Sequence, residues 1–345
     1  QEAILEYVRM GTTGVQVSRL CLGCMSFGNR TGFTADWGLD KADSLAILRK
    51  AVEAGINFFD TANMYARGES EEFLGWGLSE LKVPRDEAVI ATKVFGAMGE
   101  GPNSSGLSRK HIMQSIDASL TRLGLDYIDL YQIHRFDYET PIEETIEALH
   151  DVVKAGKARY IGASSMYAYQ FSKYLHRADH LGLTRFAMMQ NHYNLLYREE
   201  EREMNPLCAE EGVGLMPWSP LAGGFLAGSR EAGTARAKWA QKTRERYNRP
   251  EDQAVIDVLQ DVASARGESP VQVAIAWLLS KPAVTAPIVG ATKLAHLDDP
   301  LKAIGSKLGV DEIRKLEAPY RAQDIVGALA PGEFAAQRGP ESSKA

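Results

Sequence analysis

The feature that most constrains the fold is an eightfold alternation of short apolar runs with longer amphipathic ones. The short runs are RLCLG (19–23), INFFDT (56–61), AVIATKV (88–94), YIDLYQIH (127–134), ARYIGASS (158–165), FAMMQNHY (186–193), GLMPWSP (214–220) and TAPIVG (285–290). Between them lie DSLAILRKAVEAG, ESEEFLGWGLSEL, SRKHIMQSIDASLTRLG, PIEETIEALHDVVKAG, YQFSKYLHRADHLG, EEEREMNPLCAEEG and SPVQVAIAWLLSK, and an eighth helical region follows Gly290. Their apolar residues recur at helical spacing, as at Ile112, Ile116 and Leu120. Several stop at glycine, which accepts the left-handed conformation that ends a helix: Gly55, Gly124, Gly156, Gly182 and Gly212. Eight strand–helix units with short connections predict an α/β fold, a closed (β/α)8 TIM barrel. An open doubly wound sheet is the alternative. It normally has fewer strands, and a dinucleotide binder of that type carries G-x-G-x-x-G after its first strand. This chain has neither that motif nor a Walker A motif.

Three stretches depart from the repeat. Residues 6–18, EYVRMGTTGVQVS, alternate apolar and polar around Thr13-Gly14 and predict an N-terminal β-hairpin. Residues 221–269 form a long connection after the seventh strand. It has a glycine-rich start, LAGGFLAG, a basic polar segment to Arg249 and a helix from about Glu251. Loops of this length in compact domains are usually functional or mobile, so residues 223–240 are expected to close over a ligand and gate its release. Past the barrel come a short helix, DEIRKLEAPY, and a polar tail from about Pro331, expected to be loosely held. No linker divides the chain, so residues 1–345 read as a single domain.

Composition narrows the function. With 345 residues, 45% of them hydrophobic, the chain can bury a large core. The net charge of −6 is spread in both signs and leaves no nucleic-acid footprint. The acidic run Glu199-Glu200-Glu201 reads as the solvated first turn of a helix. No apolar stretch approaches the roughly 18 residues of a membrane span, so no membrane partner is expected. The segment QEAILEYVRM lacks the basic and apolar regions of a signal peptide. Three cysteines in so long a chain suit a reduced, cytoplasmic setting. Cys21 and Cys24 form a CxxC, but residues three apart on a strand face opposite sides, and no second pair completes a zinc site, so no metal is expected.

Four polar residues stand out. Asp60, Lys93 and His134 come at or just past the ends of the second, third and fourth apolar runs, and Tyr65 follows Asp60 in a loop. Barrel enzymes place their catalytic groups at these strand ends. Asp60 supplies a counter-ion for a buried Lys93. An ammonium near the Tyr65 hydroxyl favours the phenolate and is expected to lower its pKa from about 10, making Tyr65 a general acid toward a carbonyl oxygen. His134 can donate a hydrogen bond to the same oxygen. Any one of the four is more often structural; their joint placement on neighbouring strands argues for a site.

The segments DTANMYARGESEEFLG, ATK and DLYQIHRFD, with IGASS, MQNHYNLL and WSPLAGGFLAG, resemble the aldo-keto reductases, in particular the branch holding aryl-alcohol dehydrogenases and potassium-channel β subunits. The resemblance runs in order from about residue 6 to 318. It implies a (β/α)8 barrel that reduces carbonyls with NADPH, and a catalytic tetrad of Asp60, Tyr65, Lys93 and His134. It also implies that Ser164, Ser165 and Gln190 hold the nicotinamide amide, with Ser165 departing from the commoner Asn, and that Trp218 stacks on the ring. Met25 and Asp60 join these cofactor contacts. Ser219, Pro220, Leu221 and Gly223 match the backbone around the pyrophosphate, and Gly290, Thr292, Lys293, His296 and Asp299 the adenosine 2′-phosphate site. Thr292 and Lys293 would open the last helix there. Pro300 and Ser229 depart from the commoner Asn and Lys, and Arg230 or Arg236 substitutes in gripping phosphates. Phe27, Trp37, Phe95 and Phe136, in loops after the first, third and fourth strands, are expected to wall an apolar pocket for aromatic or bulky carbonyl compounds. The partner is thus a small-molecule carbonyl or alcohol substrate, and a homo-oligomer is compatible with the chain. The alternative is a nicotinamide-binding regulatory subunit like the potassium-channel β subunits.

Overall fold

Inward and outward side chains alternate along a ring of parallel strands, and that alternation builds two separate apolar cores. The computed structural model describes residues 5–29, 34–228, 247 and 249–330. Ser229, Arg230, Arg236, most of the 223–240 stretch and the tail from Pro331 lie outside the described residues. The barrel strands are β3 (Cys21–Gly23), β4 (Phe58–Asp60), β5 (Val89–Val94), β6 (Ile128–Ile133), β7 (Ala158–Ser164), β8 (Phe186–Gln190), β9 (Gly214–Leu215) and β10 (Ile288–Gly290). They pair in parallel in the order β10-β3-β4-β5-β6-β7-β8-β9. The ring closes where Leu215 bridges Val284 and the Ile288 amide donates to the Pro217 carbonyl at 2.8 Å.

On β4, Phe58 belongs to the inner cluster and Phe59 to the outer; on β6, Leu130 faces in and Tyr131 out. The outer and larger core fills the space between the barrel and its helices: α1 (Lys41–Glu53), α2 (Glu69–Glu80), α3 (Arg109–Leu123), α4 (Ile142–Lys154), α5 (Ala168–Leu181), α6 (Met204–Glu210), α7 (Pro250–Arg266), α8 (Pro270–Leu279), α9 (Asp298–Ala303) and α10 (Val310–Glu317). Local signals set several ends. Asp40 caps α1 by accepting from the Asp43 amide at 2.8 Å, and Gly124 closes α3 in the left-handed region. α2 crosses α3 at Gly75, where an added Cβ would lie 2.0 Å from the Leu123 carbonyl oxygen.

The N-terminal hairpin, β1 (Tyr7–Arg9) with β2 (Gln16–Ser18), is antiparallel and pairs Tyr7 with Ser18. Met10 and Val17 are wholly buried in the inner cluster, so the hairpin plugs the barrel end opposite the strand C-termini. Burying each contributes about 1.5–3 kcal/mol. Gly11 (φ 59°) is required there, since a Cβ would come within 2.6 Å of the Ala187 carbonyl oxygen.

The structure corrects several boundaries. The seventh strand was expected over 214–220, but its ladder covers Gly214–Leu215. Pro217 and Pro220 have no N–H to donate, so beyond the ladder the chain follows β8 through the Met216 and Trp218 amides. The helical run at 199–212 splits into a 3-10 turn, Glu199–Glu201, and α6. That acidic run is not a solvated helix turn. Glu199 is buried, accepting from the Tyr320 hydroxyl at 2.7 Å and the Gln323 amide at 2.9 Å, and burial pushes the Glu200 carboxyl up to about 8. Segments from the chain's far end cover it, which local composition does not reveal. The last barrel helix opens with a 3-10 turn, Leu294–Leu297, before α9. Cys21 lies in the inner cluster and Cys24 in the outer, and burial pushes both thiols well above the usual range. No helix among the described residues is long and apolar enough to cross a membrane.

Candidate active site

The parity of the strands brings polar side chains together at one mouth of the barrel. Phe58 points inward, so Asp60 does too; Ala91 and Lys93 share the inner face of β5, as do Leu130 and Gln132 on β6. Lys93 pairs with Gln132 in the ladder, and Ser164 with Gln190. The wholly buried Lys93 ammonium has three protons and three acceptors: Asp60 Oδ2 at 2.6 Å, the Thr61 carbonyl at 2.7 Å and the Tyr65 hydroxyl at 3.4 Å. The other oxygen of Asp60 accepts from Gln132 Nε2 at 3.0 Å and Gln190 Nε2 at 2.9 Å. Such full satisfaction is what makes a buried ion pair tolerable.

Tyr65 opens a 3-10 turn, Tyr65–Gly68, in which Ala66 and Arg67 both have positive φ, 47° and 52°. Two successive non-glycine residues in the left-handed region cost on the order of 1–3 kcal/mol each. The turn thus stores strain beside the group it positions. Lys93 Nζ lies 4.9 Å from the Tyr65 ring centroid, and the His134 ring meets Tyr65 edge-on with centroids 5.8 Å apart. His134 Nδ1 is buried without a hydrogen-bond partner among the described residues.

Electrostatics revises one expectation. Burial pushes the Tyr65 hydroxyl above the usual phenol value, and attraction from Lys93 offsets this incompletely. Desolvation thus outweighs the nearby cation, the lowered tyrosine pKa expected from Lys93 does not hold, and Tyr65 stands as a neutral phenol with a proton to give. Burial alone would lower Lys93, but Asp60 and Tyr65 outweigh it and leave the ammonium above its ordinary value. Burial, then repulsion from Arg135 and Lys93, holds His134 well below the usual imidazole range, hence neutral.

The expected cofactor contacts among the described residues follow the C-terminal ends of the barrel strands. Met25 is half-buried just past β3. Ser165 Oγ accepts from Trp218 Nε1 at 2.9 Å, and the Gln190 amide is engaged by Asp60, so both already have partners inside the protein. Ser164 donates to Ser165 at 3.4 Å. Trp218 is half-buried. Beyond it come Ser219 (φ 55°), Pro220, Leu221, Ala222 (φ 49°), Gly223 (φ 64°) and Gly224 (φ 99°). Repeated left-handed residues curl a backbone into the kind of concavity whose N–H groups suit phosphate oxygens. A Cβ at Gly223 would meet nothing within 4 Å, which leaves room for close approach there. Gly290, Lys293 and His296 are exposed, and the Thr292 amide donates to His296 Nδ1 at 3.3 Å. Asp299 lies 3.8 Å from Lys302. A flat aromatic, a backbone concavity and an exposed cation past the strand ends are the kinds of group a nucleotide cofactor requires.

The proposed aromatic wall fares differently. Phe27 has no exposed surface and belongs to the outer core, where Phe95, 5% exposed, also packs; Trp37 is 8% exposed. Phe27 and Phe95 pack among the outer-core residues, and Trp37 is buried as well. Phe136 alone of the four is half-buried, edge-on to Tyr138 and Tyr174. Sequence reasoning also missed Gln132, which completes the shell of Asp60; its spacing of two from Leu130 in YIDLYQIH was the available signal.

Comparison with known proteins agrees with this arrangement. Residues 19–321 match the model of the Aldo/keto reductase family. The chain is 42% identical over 353 residues to versiconal hemiacetal acetate reductase of Aspergillus parasiticus, covering 95% of this chain and 100% of that protein. It is 41% identical over 351 residues to the aldo-keto reductase dtxS3 of Metarhizium robertsii, covering 94% and 93%. It is 41% identical over 347 residues to the putative aryl-alcohol dehydrogenase C977.14c of Schizosaccharomyces pombe, covering 94% and 98%.

Proposed function

Because the chain belongs to the aldo/keto reductase family, we propose that it is an NADP(H)-dependent enzyme interconverting aldehydes or ketones with their alcohols. The observation that carries this reading is the saturated network in which Asp60 and Lys93 hold the Tyr65 hydroxyl beside His134. A bound nicotinamide would supply hydride exchange at the carbonyl carbon. Tyr65, as a neutral phenol, donates its proton to the carbonyl oxygen in reduction and recovers it in oxidation. Lys93, at 3.4 Å, stabilises the phenolate that this leaves. His134, neutral, keeps its Nδ1 for an oxygen brought into the site.

Trp218 would hold one face of the nicotinamide, with Ser164, Ser165, Gln190 and Met25 around it. Ser219 to Gly223 would line the pyrophosphate, and Lys293 with Thr292 and His296 the 2′-phosphate. Trp218 and Phe136 keep partial exposure, and one relative is named a putative aryl-alcohol dehydrogenase, so aromatic or bulky apolar carbonyls are the favoured substrates. The test is NADPH oxidation with a panel of aryl aldehydes, aliphatic ketones and quinones. Tyr65→Phe should lower kcat by roughly 10²–10⁴-fold, the weight of a lost general acid, while NADPH still binds. Turnover unchanged in that variant would end the mechanism, and no oxidation with any carbonyl would end the assignment.

A further inference from the structure

The face of Trp218 that is not available to a ligand is occupied by another ring. His192 lies parallel to Trp218, centroids 4.1 Å apart and 11° from coplanar. Its opposite face lies on Tyr197, again at 4.1 Å and 12°. The three rings form a column, and His192 at its centre is 1% exposed. Within the column His192 is fixed in its own plane: its Nε2 is hydrogen-bonded to the Tyr247 hydroxyl. Asn194 Nδ2 donates to that hydroxyl at 3.2 Å, so Tyr247 is held by both residues. Tyr247 comes from the long connection after the seventh strand, far from His192 in sequence. Two further contacts limit the indole. Its Nε1 donates to Ser165, and a methyl on Gly327 would come within 3.3 Å of its Cζ2 edge.

We propose that His192 is a positioning residue: stacked behind Trp218 and tied to Tyr247, it sets how far the indole projects into the site and presents the free face for stacking. This rests on the reading above that the free face of Trp218 receives the nicotinamide ring. Rings this close and this nearly parallel leave no gap between layers, so an indole with no backing ring would tilt or retreat into the space of the missing layer.

The test compares His192→Ala and His192→Phe with the starting protein. Phe keeps a flat ring in the column and loses the bond to Tyr247, so it remains informative if the Ala variant is poorly folded. Binding of NADPH is measured beside that of 2′,5′-ADP, which carries the adenosine 2′-phosphate end and no nicotinamide. His192→Ala should weaken NADPH roughly fivefold, the scale of one aromatic contact, and change 2′,5′-ADP by less than about twofold. His192→Phe should recover most of the loss. Equal weakening of both ligands, or no weakening of NADPH, overturns the proposal. Trp218→Ala distinguishes the two layers: if it leaves NADPH affinity unchanged, the placement of the nicotinamide is wrong; if it weakens NADPH while His192→Ala does not, the positioning role alone is wrong.

Discussion

The Asp60–Lys93 pair allows one substitution to be worked through from its surroundings. Asp60→Asn keeps the shape but replaces one carboxylate oxygen by an NH₂ group. The carboxylate accepts from Lys93 on one oxygen and from Gln132 and Gln190 on the other. An asparagine must therefore turn its NH₂ toward either the ammonium or the two amides, and each orientation sets donor against donor. Lys93 is left as a wholly buried charge without a counter-ion. Breaking a buried pair in this way costs about 3–5 kcal/mol, a large part of a typical stability of about 5–15 kcal/mol. The assay is urea unfolding followed by tryptophan fluorescence. Removing both charges, in Asp60→Asn with Lys93→Met, should recover much of the loss, because the uncompensated ammonium goes with the second change.

The pH dependence follows by sign. In the starting protein Lys93 lies above its ordinary value, so its contribution is complete below about pH 10.4, the unfolded value, and fades as pH rises through the folded one. In Asp60→Asn the attraction is gone and burial lowers Lys93, so the deficit is largest near neutrality and shrinks as the pH rises. A midpoint shift worth less than about 1 kcal/mol at pH 7, or a double variant no better than the single, would refute the claim that charge compensation holds this site together.

Three shorter expectations follow from the same structure. Because burial, Arg135 and Lys93 depress His134, kcat/KM should stay flat as pH falls through 6.5, while stability declines below that value as the unfolded chain takes up the proton; an acid limb near 6.5 that His134→Gln abolishes would contradict this. Lys293→Ala should weaken NADPH roughly tenfold more than NADH, the size of one charge-assisted hydrogen bond at an exposed site, and equal weakening in a titration would remove Lys293 from the phosphate. Gly75→Ala should destabilise the protein by about 1–3 kcal/mol, since its methyl meets the Leu123 backbone at 2.0 Å; an unchanged melting temperature would show that α2 can shift on α3 freely.

Period-two alternation and strand-end position were enough to bring Asp60, Lys93 and His134 to one mouth, because parity is a local property of a strand. The same rule held for Gln132, which was overlooked inside an apolar run. What sequence did not reveal depends on contacts distant along the chain. Phe27 and Phe95 occupy loops, where aromatic residues look available, yet both loops fold onto the outer core. Glu199 looks solvated until Tyr320 and Gln323 cover it. The direction of the Tyr65 shift required knowing how much water the site excludes, and a cation in the sequence does not report that. Single prolines at 217 and 220 shortened β9 where apolar patterning favoured a longer strand.

The hairpin that plugs the barrel has an awkward place in time. Thr12 donates its amide to the Gly212 carbonyl, and Gly11 lies against Ala187, so residues made early dock on residues made some two hundred positions later. During synthesis Met10 and Val17 wait, unburied, while the ring that will receive them is assembled. Closing so long a loop carries a loop-closure entropy that grows only slowly with length, but it delays the contact. The floor of the barrel cannot be sealed before strand β9 is made, so a nascent chain held short of it leaves Met10 and Val17 without the contacts that bury them.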